Sequence, residues 1–194
     1  MIKTTDMILD ELSEYSAPAN KLIRMVKAGT YIPIVRGLYE TDPSVPGCYL
    51  AGSIYGPSYL SFEFALSRYG LIPEAVYTFT SATYDKKKKK EYHNAFGTYT
   101  YRDIPPGAYP AGVLIQTEGK YAYQIASAEK AFCDQLYKMP PVHNLGDLRD
   151  MIFEDIRMDE EEVASLDKQM IDRIAPLYKC SNLKLVSRLM RKMS

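Results

Sequence analysis

The run from residue 61 to residue 74 reads Ser61-Phe-Glu-Phe-Ala-Leu-Ser-Arg-Tyr-Gly-Leu-Ile-Pro-Glu74, and it decides the fold of the middle of the chain. Ser61 is placed to cap a helix, because a serine hydroxyl can accept the unpaired N–H groups of a first helical turn. Gly70 favours a left-handed stop, and Pro73 prevents the helix from continuing. The run therefore predicts a short helix over residues 62–69.

Strand and helix patterns alternate on both sides of this run. Asp42-Pro43 and Pro46-Gly47 mark a linker or turn, and a short helix is expected near residues 49–55. Further on, Thr117-Glu-Gly-Lys120 is typical of a hairpin turn. We interpret residues 41–145 as an α+β domain with an antiparallel sheet. Its predicted elements are strands over residues 76–83, 96–101, 113–116 and 121–125, and a helix over residues 128–137 that ends before Pro140.

The first forty residues predict two helices and a hairpin. Thr5 or Asp6 can cap the first helix, and Ser16 followed by Pro18 is the cap and first turn of the second, which stops at Gly29. A hairpin follows over residues 31–39, with a turn at Arg36-Gly37 and with Pro33 keeping it at a sheet edge. The expected buried residues are Ile8, Leu12 and Tyr15 on the first helix, and Leu22, Ile23 and Val26 on the second.

Charge in this segment is uneven. Residues 17–39 hold four bases and no acid, and Asn20, Arg24 and Lys27 share one helix face opposite the apolar stripe. A helix with a polar, basic face followed by a basic hairpin is the pattern of a winged helix-turn-helix, in which the helix enters the major groove and the hairpin contacts phosphate. The alternative is an ordinary amphipathic helix with a solvated face.

The last fifty residues read as helices. Residues 147–167 hold nine acids and two bases, whereas residues 168–194 hold seven bases and one acid. The basic terminal helix could bind a partner groove, nucleic acid or a membrane surface. Alternatively it docks on its own domain, with its bases facing the acidic block. The five lysines of residues 86–90 similarly fit a solvated hairpin tip or mobile loop, or else a phosphate-binding role.

Composition excludes several classes of protein. The chain of 194 residues is 46% hydrophobic and 25% charged, with a formal net charge of zero, so any attraction to nucleic acid must come from a local patch. It contains neither a signal-peptide pattern nor an apolar run long enough to span a membrane. Three widely spaced cysteines, Cys48, Cys133 and Cys180, fit reduced thiols. We therefore expect a cytoplasmic protein with no membrane partner.

Motifs for catalysis are missing. Two histidines without metal-ligand spacing give no zinc site, and the phosphate-binding and nucleophile motifs are absent. Lys130 and Asp134, four residues apart, are expected to form a helix ion pair that contributes a few tenths of a kcal/mol. We therefore expect that this protein is not an enzyme and that it has no catalytic residues, no metal and no cofactor.

Three stretches in register resemble one known family. Residues 61–74 resemble the S-x-x-S-A-L-x-x-h-G-L-I-P-E signature of the AbiEi antitoxins of bacterial type IV toxin–antitoxin (abortive infection) systems, with Phe64 at the second serine. Val35-Arg-Gly-Leu-Tyr39 is similar to the family's wing motif, and Ala128-Glu-Lys-Ala-Phe-Cys-Asp134 is similar to its E-K-A helix. The resemblance spans about residues 20–137. A full winged helix-turn-helix has three helices; here either the first is lost or residues 1–15 replace it.

The resemblance implies both a fold and a function. It implies an N-terminal winged helix that binds operator DNA and represses its own operon, and a further domain that counteracts a nucleotidyltransferase-like toxin. Whether the toxin is bound directly stays open. A homodimer would suit an inverted-repeat operator, because the two-fold symmetries of protein and DNA match. The residues expected to contact DNA are Asn20, Lys21, Arg24 and Lys27 on the helix and Arg36 in the wing.

The interpretation is an α+β protein with three parts. Residues 1–40 form a winged-helix-like DNA-binding segment, residues 41–145 the α+β antitoxin-family domain, and residues 146–194 a helical C-terminal region. The predicted function is an antitoxin-like transcriptional autoregulator. The alternative is a protein-interaction module on the same fold that has lost DNA binding and acts through its tyrosine-rich middle and basic tail. Deleting residues 181–194 would then abolish protection from toxin and leave the fold intact.

Overall fold

A computed structural model describes residues 1–193 and confirms the α+β class. The N-terminal part contains a three-stranded sheet and two helices. Strand β1 (Lys3–Thr4) leads into α1 (Thr5–Glu11), which is followed by α2 (Pro18–Lys27), β2 (Ile32–Val35) and β3 (Leu38–Glu40). The strand order is β1-β3-β2, so β2, which contains Pro33, is an edge strand as expected.

The main sheet has six strands. These are β4 (Ser58–Leu60), β5 (Phe79–Tyr84), β6 (Lys90–Asn94), β7 (Gly97–Ile104), β8 (Val113–Glu118) and β9 (Tyr121–Ala126), in the order β6-β7-β5-β4-β9-β8. The predicted antiparallel arrangement is wrong at two places, since β5 pairs with β7 and β4 with β9 in parallel. The sheet is mixed because the chain places other strands between the members of each of these two pairs.

Helices cover both faces of this sheet. On one face lie a short 3-10 helix (Gly47–Leu50) and α3 (Ala51–Ile54), which receive hydrogen bonds from the buried hydroxyls of Tyr99 and Tyr101 at 3.1 and 2.7 Å. On the other lie α4 (Phe62–Arg68) and α5 (Ala128–Lys138). Gly70 follows α4 with φ +75°, which confirms the predicted left-handed stop.

The C-terminal part is helical, as expected. It comprises α6 (Leu145–Asp150), a π-helical turn (Met151–Asp155), α7 (Glu160–Ser165), α8 (Lys168–Ile174), a 3-10 turn (Ala175–Tyr178) and α9 (Ser181–Lys192). These helices belong to the same core as the sheet, because their apolar side chains join one continuous buried cluster with it.

The terminal helix α9 docks on its own domain. Leu183, Val186 and Leu189 are buried, and the side-chain amide of Asn182 forms hydrogen bonds with the last turn of α5 and with the segment that follows it. Arg191 lies 3.7 Å from Asp172 of α8, outside the acidic block of residues 147–167. The expectation that residues 181–194 can be deleted without loss of the fold is therefore wrong for the described part of this segment, which supplies core residues.

Several elements differ from the sequence-based expectation. The strands β1, β4 and β6 were not predicted, because β1 and β4 are very short and β6 reads Lys-Glu-Tyr-His-Asn, with no β-branched residue. The strand expected over residues 76–83 begins only at Phe79. No helix within residues 1–193 is long and apolar enough to cross a lipid bilayer.

Candidate nucleic-acid interface

A small core of its own positions the helices of the N-terminal part. Ile8 and Leu12 from the first helix pack with Leu22 from α2 and with Tyr31 before β2. These four side chains are buried apart from the main core. The packing fixes α2 beside α1 and leaves the opposite side of α2 free for solvent or a ligand.

The outer face of α2 is polar and basic. Asn20, Arg24 and Lys27 are exposed, and they lie at i, i+4 and i+7 on one side of the helix. Neither Arg24 nor Lys27 forms an ion pair with any of residues 1–193. Two cationic side chains on this face are thus available to bind phosphate.

Two sequence-based assignments on these helices need correction. Ile23 was expected in the buried stripe, but it is 54% exposed and lies on the same side of α2 as Asn20 and Lys27. Tyr15 was expected on the buried face of the first helix, but that helix ends at Glu11 and Tyr15 is 50% exposed. Ile23 is exposed because only one position of α2, Leu22, is buried, and the next residue lies about 100° further round the helix.

Lys21 differs from the other predicted contacts. Its side chain is partly buried, and its ammonium group lies 4.7 Å from the centre of the Tyr15 ring. Arg24 in turn donates a long hydrogen bond of 3.4 Å to the carbonyl of Asn20. The structure therefore groups Asn20, Arg24 and Lys27 on one open face and holds Lys21 at its margin.

The wing turn is held against α1. Gly37 has φ +81°, a conformation that glycine adopts without strain, and its carbonyl accepts a hydrogen bond of 3.0 Å from the N–H of Thr5. Arg36, the other turn residue, is exposed. The turn thus presents one arginine to solvent from a backbone that is fixed on its inner side.

An ion pair between Lys3 and Glu11, joined by the hydroxyl of Tyr31, connects the first helix to the strands. The Lys3 ammonium lies 2.7 Å from both carboxylate oxygens of Glu11, and the Tyr31 hydroxyl donates to the same carboxylate at 3.2 Å. The hydrogen bond from Lys3 lowers the pKa of Glu11, and the same bond raises the pKa of Lys3. Burial raises the pKa of Tyr31. These contacts hold the end of α1 against β1 and the residue before β2.

Charge is segregated between the two helices. Asp6, Asp10 and Glu14 are exposed on α1 and the turn after it, whereas residues 17–39 contain no acid. An acidic first helix repels a phosphate backbone at short range. The exposed acids of α1 therefore disfavour a duplex that contacts this helix.

The other two family-like motifs meet in a buried polar cluster, which consists of Tyr59, Ser61, Lys130, Asp134 and Tyr178. The Asp134 carboxylate accepts hydrogen bonds from the hydroxyls of Tyr59, Ser61 and Tyr178 at 2.9, 2.7 and 2.5 Å. The Lys130 ammonium lies 3.2 Å from the same carboxylate and donates to the carbonyl of Ala108 and the hydroxyl of Tyr178, each at 2.6 Å.

One prediction in this cluster is wrong and another is confirmed only in part. Ser61 precedes α4 but does not cap it, because its hydroxyl donates to Asp134. The predicted Lys130–Asp134 helix ion pair is present, but both side chains are fully buried, so the expected contribution of a few tenths of a kcal/mol, which holds for pairs on a helix surface, does not apply. Burial lowers the pKa of Lys130 against the raising effect of Asp134, and burial together with Asp134 raises the pKa of Tyr59 and Tyr178. With no access to solvent, the cluster joins β4, α5 and the C-terminal helices.

The pattern of solvent exposure adds two features that sequence reasoning did not use. One is Ile23 on the open face of α2. The spacing of apolar residues along the helix could not show that Ile23 is exposed while its neighbour Leu22 is buried. The other is the main-sheet region around the lysine run, where Tyr77 is 87% exposed. Comparison with known proteins adds no assignment: no family model matches the chain, and no curated protein matches it.

Proposed function

We propose that this protein is an antitoxin-like transcriptional autoregulator that binds operator DNA through α2 and the wing. The observation that carries the proposal is the open face of α2, with Asn20, Arg24 and Lys27 free of acidic partners among residues 1–193. In a helix-turn-helix the second helix enters the major groove. An arginine there can bond two acceptors of guanine, and an asparagine two groups of adenine.

The neighbouring elements support the same orientation. Arg36 lies in a fixed turn and carries an exposed guanidinium group, which suits a contact with backbone phosphate. The acidic side chains of Asp6, Asp10 and Glu14 disfavour the opposite approach. A neutral protein can thus bind DNA through one basic side, because the charge of the nearest helix matters more than the charge of the whole chain.

The resemblance to AbiEi antitoxins supplies the biological half of the proposal. Its Ser61 and E-K-A motif residues lie together in the buried polar cluster, so they specify the core of the middle domain rather than a reaction. By that resemblance, the middle domain counteracts a nucleotidyltransferase-like toxin in the cytoplasm. Operator binding is the part that can be tested with the purified chain alone.

The test is fluorescence anisotropy with a duplex from upstream of the protein's own gene. We expect submicromolar binding at about 100 mM salt and a clear preference over a scrambled duplex. Arg36→Ala should weaken binding to both duplexes and flatten the salt dependence by about one unit, because it removes one phosphate contact. Lys120→Ala, a single neutralised charge in the exposed β8–β9 turn, is the matched control. Equal affinity for native and scrambled duplexes would refute operator recognition.

A second candidate function is a protein-interaction module. The observation in its favour is the free edge strand β8, where Leu114 and Ile115 are 44% and 71% exposed. An exposed edge of this kind can accept a strand from another chain. Under this reading Ile115→Lys abolishes capture of the neighbouring gene product, whereas Arg24→Ala has no effect on it. Unchanged capture by the Ile115 variant would remove β8 from the interaction.

A further inference from the structure

The lysine run of residues 86–90 lies at one end of the parallel strand pair β5 and β7. The chain leaves β5 at Tyr84, crosses the end of β7 and returns as β6 on the far side of β7. The crossing is anchored by Asp103 near the end of β7. Its carboxylate accepts the N–H of Lys86 at 3.0 Å, the N–H of Lys87, and the hydroxyl of Thr83 at 2.5 Å. The loop is therefore an anchored structure rather than a free tip.

Most ammonium groups of this loop have no acidic partner. Lys87 pairs with Asp85 at 3.6 Å, and Lys86 lies over the Tyr55 ring at 5.2 Å. Lys88, Lys89 and Lys90 are exposed, and none of them forms an ion pair within the described residues. Several cations are thus held side by side on a fixed backbone, and their mutual repulsion makes an anion a favourable ligand.

Two further bases, Lys138 and Arg102, lie near the lysine loop. Burial lowers the pKa of Lys138 at the end of α5, and the nearby charges of Arg102 and Lys89 lower it further. The guanidinium group of Arg102 stacks on the Phe62 ring at 3.9 Å and forks onto the Glu63 carboxylate. The side-chain Nε–H of Arg102 is buried with no partner in residues 1–193.

A cleft opens next to these bases. It has a volume of about 730 Å³, and it lies between the start of α4 and the open face of β5, β7 and β6. Thr78, Thr80 and Thr100 contribute to its wall, together with Lys89 and Lys90. Tyr77 also lines it, and at 87% its side chain is the most exposed of the large hydrophobic residues in the described chain.

The two acids in the cleft have different partners. Glu63 is held by the Arg102 fork, and burial, which opposes ionisation, is outweighed by these contacts, so that its pKa is lowered. Glu91 lies 2.9 Å from the His93 ring and pairs with it when the ring is protonated. A ligand in the cleft thus meets Lys89 and Lys90, the Glu91 carboxylate and the exposed ring of Tyr77.

We propose that this cleft and the lysine loop bind single-stranded nucleic acid, with phosphates on Lys88–Lys90 and a base stacked on Tyr77. Proteins that bind single strands combine a cationic groove with exposed aromatic rings on which bases stack, and both components occur together here. This site is separate from the α2 face and does not depend on duplex recognition. An acidic protein partner would use the lysines but would give Tyr77 no base to stack.

The test uses a labelled oligomer of about ten uridines, within the usual site size of a single-strand binding groove. We expect Lys88→Gln/Lys89→Gln to flatten the dependence of log affinity on log salt by about 1.4, since two phosphate contacts on a single strand are lost. The charge-matched control is Lys120→Gln/Lys192→Gln, whose residues are exposed on other elements. Equal losses in the two double variants would overturn the location.

Tyr77 separates nucleic acid from other polyanions. Tyr77→Ala should weaken oligouridine binding about tenfold, leave inorganic polyphosphate binding unchanged, and be rescued by Tyr77→Phe. Oligouridine binding that is indifferent to Tyr77→Ala, or absent in the wild type at about 50 mM salt, would overturn the proposal. Arg24→Ala/Lys27→Ala should leave oligouridine binding intact. This variant therefore distinguishes a failure of the proposed operator binding from a failure of the proposed single-strand site.

Discussion

At the scale of single residues, Asp134 is a fully buried carboxylate with four polar partners. Its carboxylate accepts three hydroxyl donors and faces the Lys130 ammonium, all without contact with solvent. A buried charge persists only when its hydrogen bonds and its counter-charge are both in place. Ser61, Lys130 and Asp134, which are far apart in the sequence or on one helix, therefore act as one buried network.

The buried pair predicts a large effect on stability. Asp134→Asn leaves the Lys130 ammonium uncompensated, so we expect the free energy of unfolding to fall by about 3–5 kcal/mol. Chemical denaturation measures it. Glu160→Gln, which removes one partner of the exposed Arg149–Glu160 pair, is the control and should cost at most about 0.5 kcal/mol. A loss below about 1 kcal/mol for Asp134→Asn would contradict the described network.

The tyrosines predict an alkaline transition. Burial raises the pKa of Tyr109 to about 12, and burial with the Glu40 carboxylate raises that of Tyr121 to about 12. Because these values lie above the ordinary 10.0, the unfolded chain loses its protons first. The stability that these two tyrosines contribute should be fully present below pH 10 and should be lost as the pH rises towards 12. Tyrosinate absorbance followed together with circular dichroism tests this, and ionisation of these tyrosines near pH 10 in the intact fold would contradict it.

Residue roles were harder to predict than residue positions. Ser61 was correctly placed before a helix, but its hydroxyl serves Asp134, seventy-three positions away in the chain. Local sequence cannot show such a partner. The same holds for Lys130 and Asp134, because a spacing of four residues on a helix looks the same whether the pair is buried or solvated. By contrast, Gly37 and Gly70 were predicted correctly, because a left-handed backbone is a local requirement.

At the scale of elements, α2 is the part that presents the proposed DNA contacts. Its single buried residue is Leu22, and the side opposite the small core carries Asn20, Arg24 and Lys27 with Ile23 between them. An exposed isoleucine in a basic face suits apolar contact with a thymine methyl group. Stability thus depends on one side of this helix and the proposed binding on the other.

Ile23 gives an element-level prediction. Ile23→Ala should change the free energy of unfolding by less than about 0.5 kcal/mol, because the side chain is largely exposed, yet it should weaken binding to the native duplex severalfold. Thermal unfolding and anisotropy measure the two effects. Met7→Ala, at a 47% exposed position on α1, is the matched control and should affect neither. A large loss of stability in the Ile23 variant would show that this residue packs in the core after all.

The docking of α9 on the rest of the domain gives a second prediction at the scale of elements. Asn182 accepts a hydrogen bond from the N–H of Val142 at 2.8 Å and donates to the carbonyls of Leu136 and Pro140 at 2.9 and 3.0 Å. Asn182→Ala leaves these groups unpaired, so we expect a loss of about 2 kcal/mol in the free energy of unfolding. Lys184→Ala, at an exposed position on the same helix, should change it by less than about 0.5 kcal/mol. Equal effects would refute the docking.

Elements with strong local signals were predicted, and weak ones were missed. The helices at Pro18, Phe62 and Ala128 have start or stop residues and apolar spacing, and they lie where expected to within a residue or two. Strands β4 and β6 exist only because neighbours supply their hydrogen bonds, and their sequences carry no strand pattern. The parallel pairing of β5 with β7 depends on a crossing that no local pattern encodes.

At the scale of the whole molecule, the zero net charge conceals separate surfaces. Acids are exposed on α1, whereas bases are grouped on α2 and in the lysine loop. Because salt screens charges beyond about 10 Å, each group acts on what lies near it. A chain with no net charge can thereby bind nucleic acid at the local basic surfaces of α2 and the lysine loop. Two copies of the α2 face would suit an inverted-repeat operator.

The most direct test of the central claim compares Arg24→Ala/Lys27→Ala with the wild type on the native and scrambled duplexes, by anisotropy across a salt series. We expect the double variant to lose at least tenfold in affinity for the native duplex and most of its preference over the scrambled one, because each good base contact contributes about 1–3 kcal/mol of discrimination. Native-like affinity and preference in this variant would show that the open face of α2 is not the DNA-binding surface.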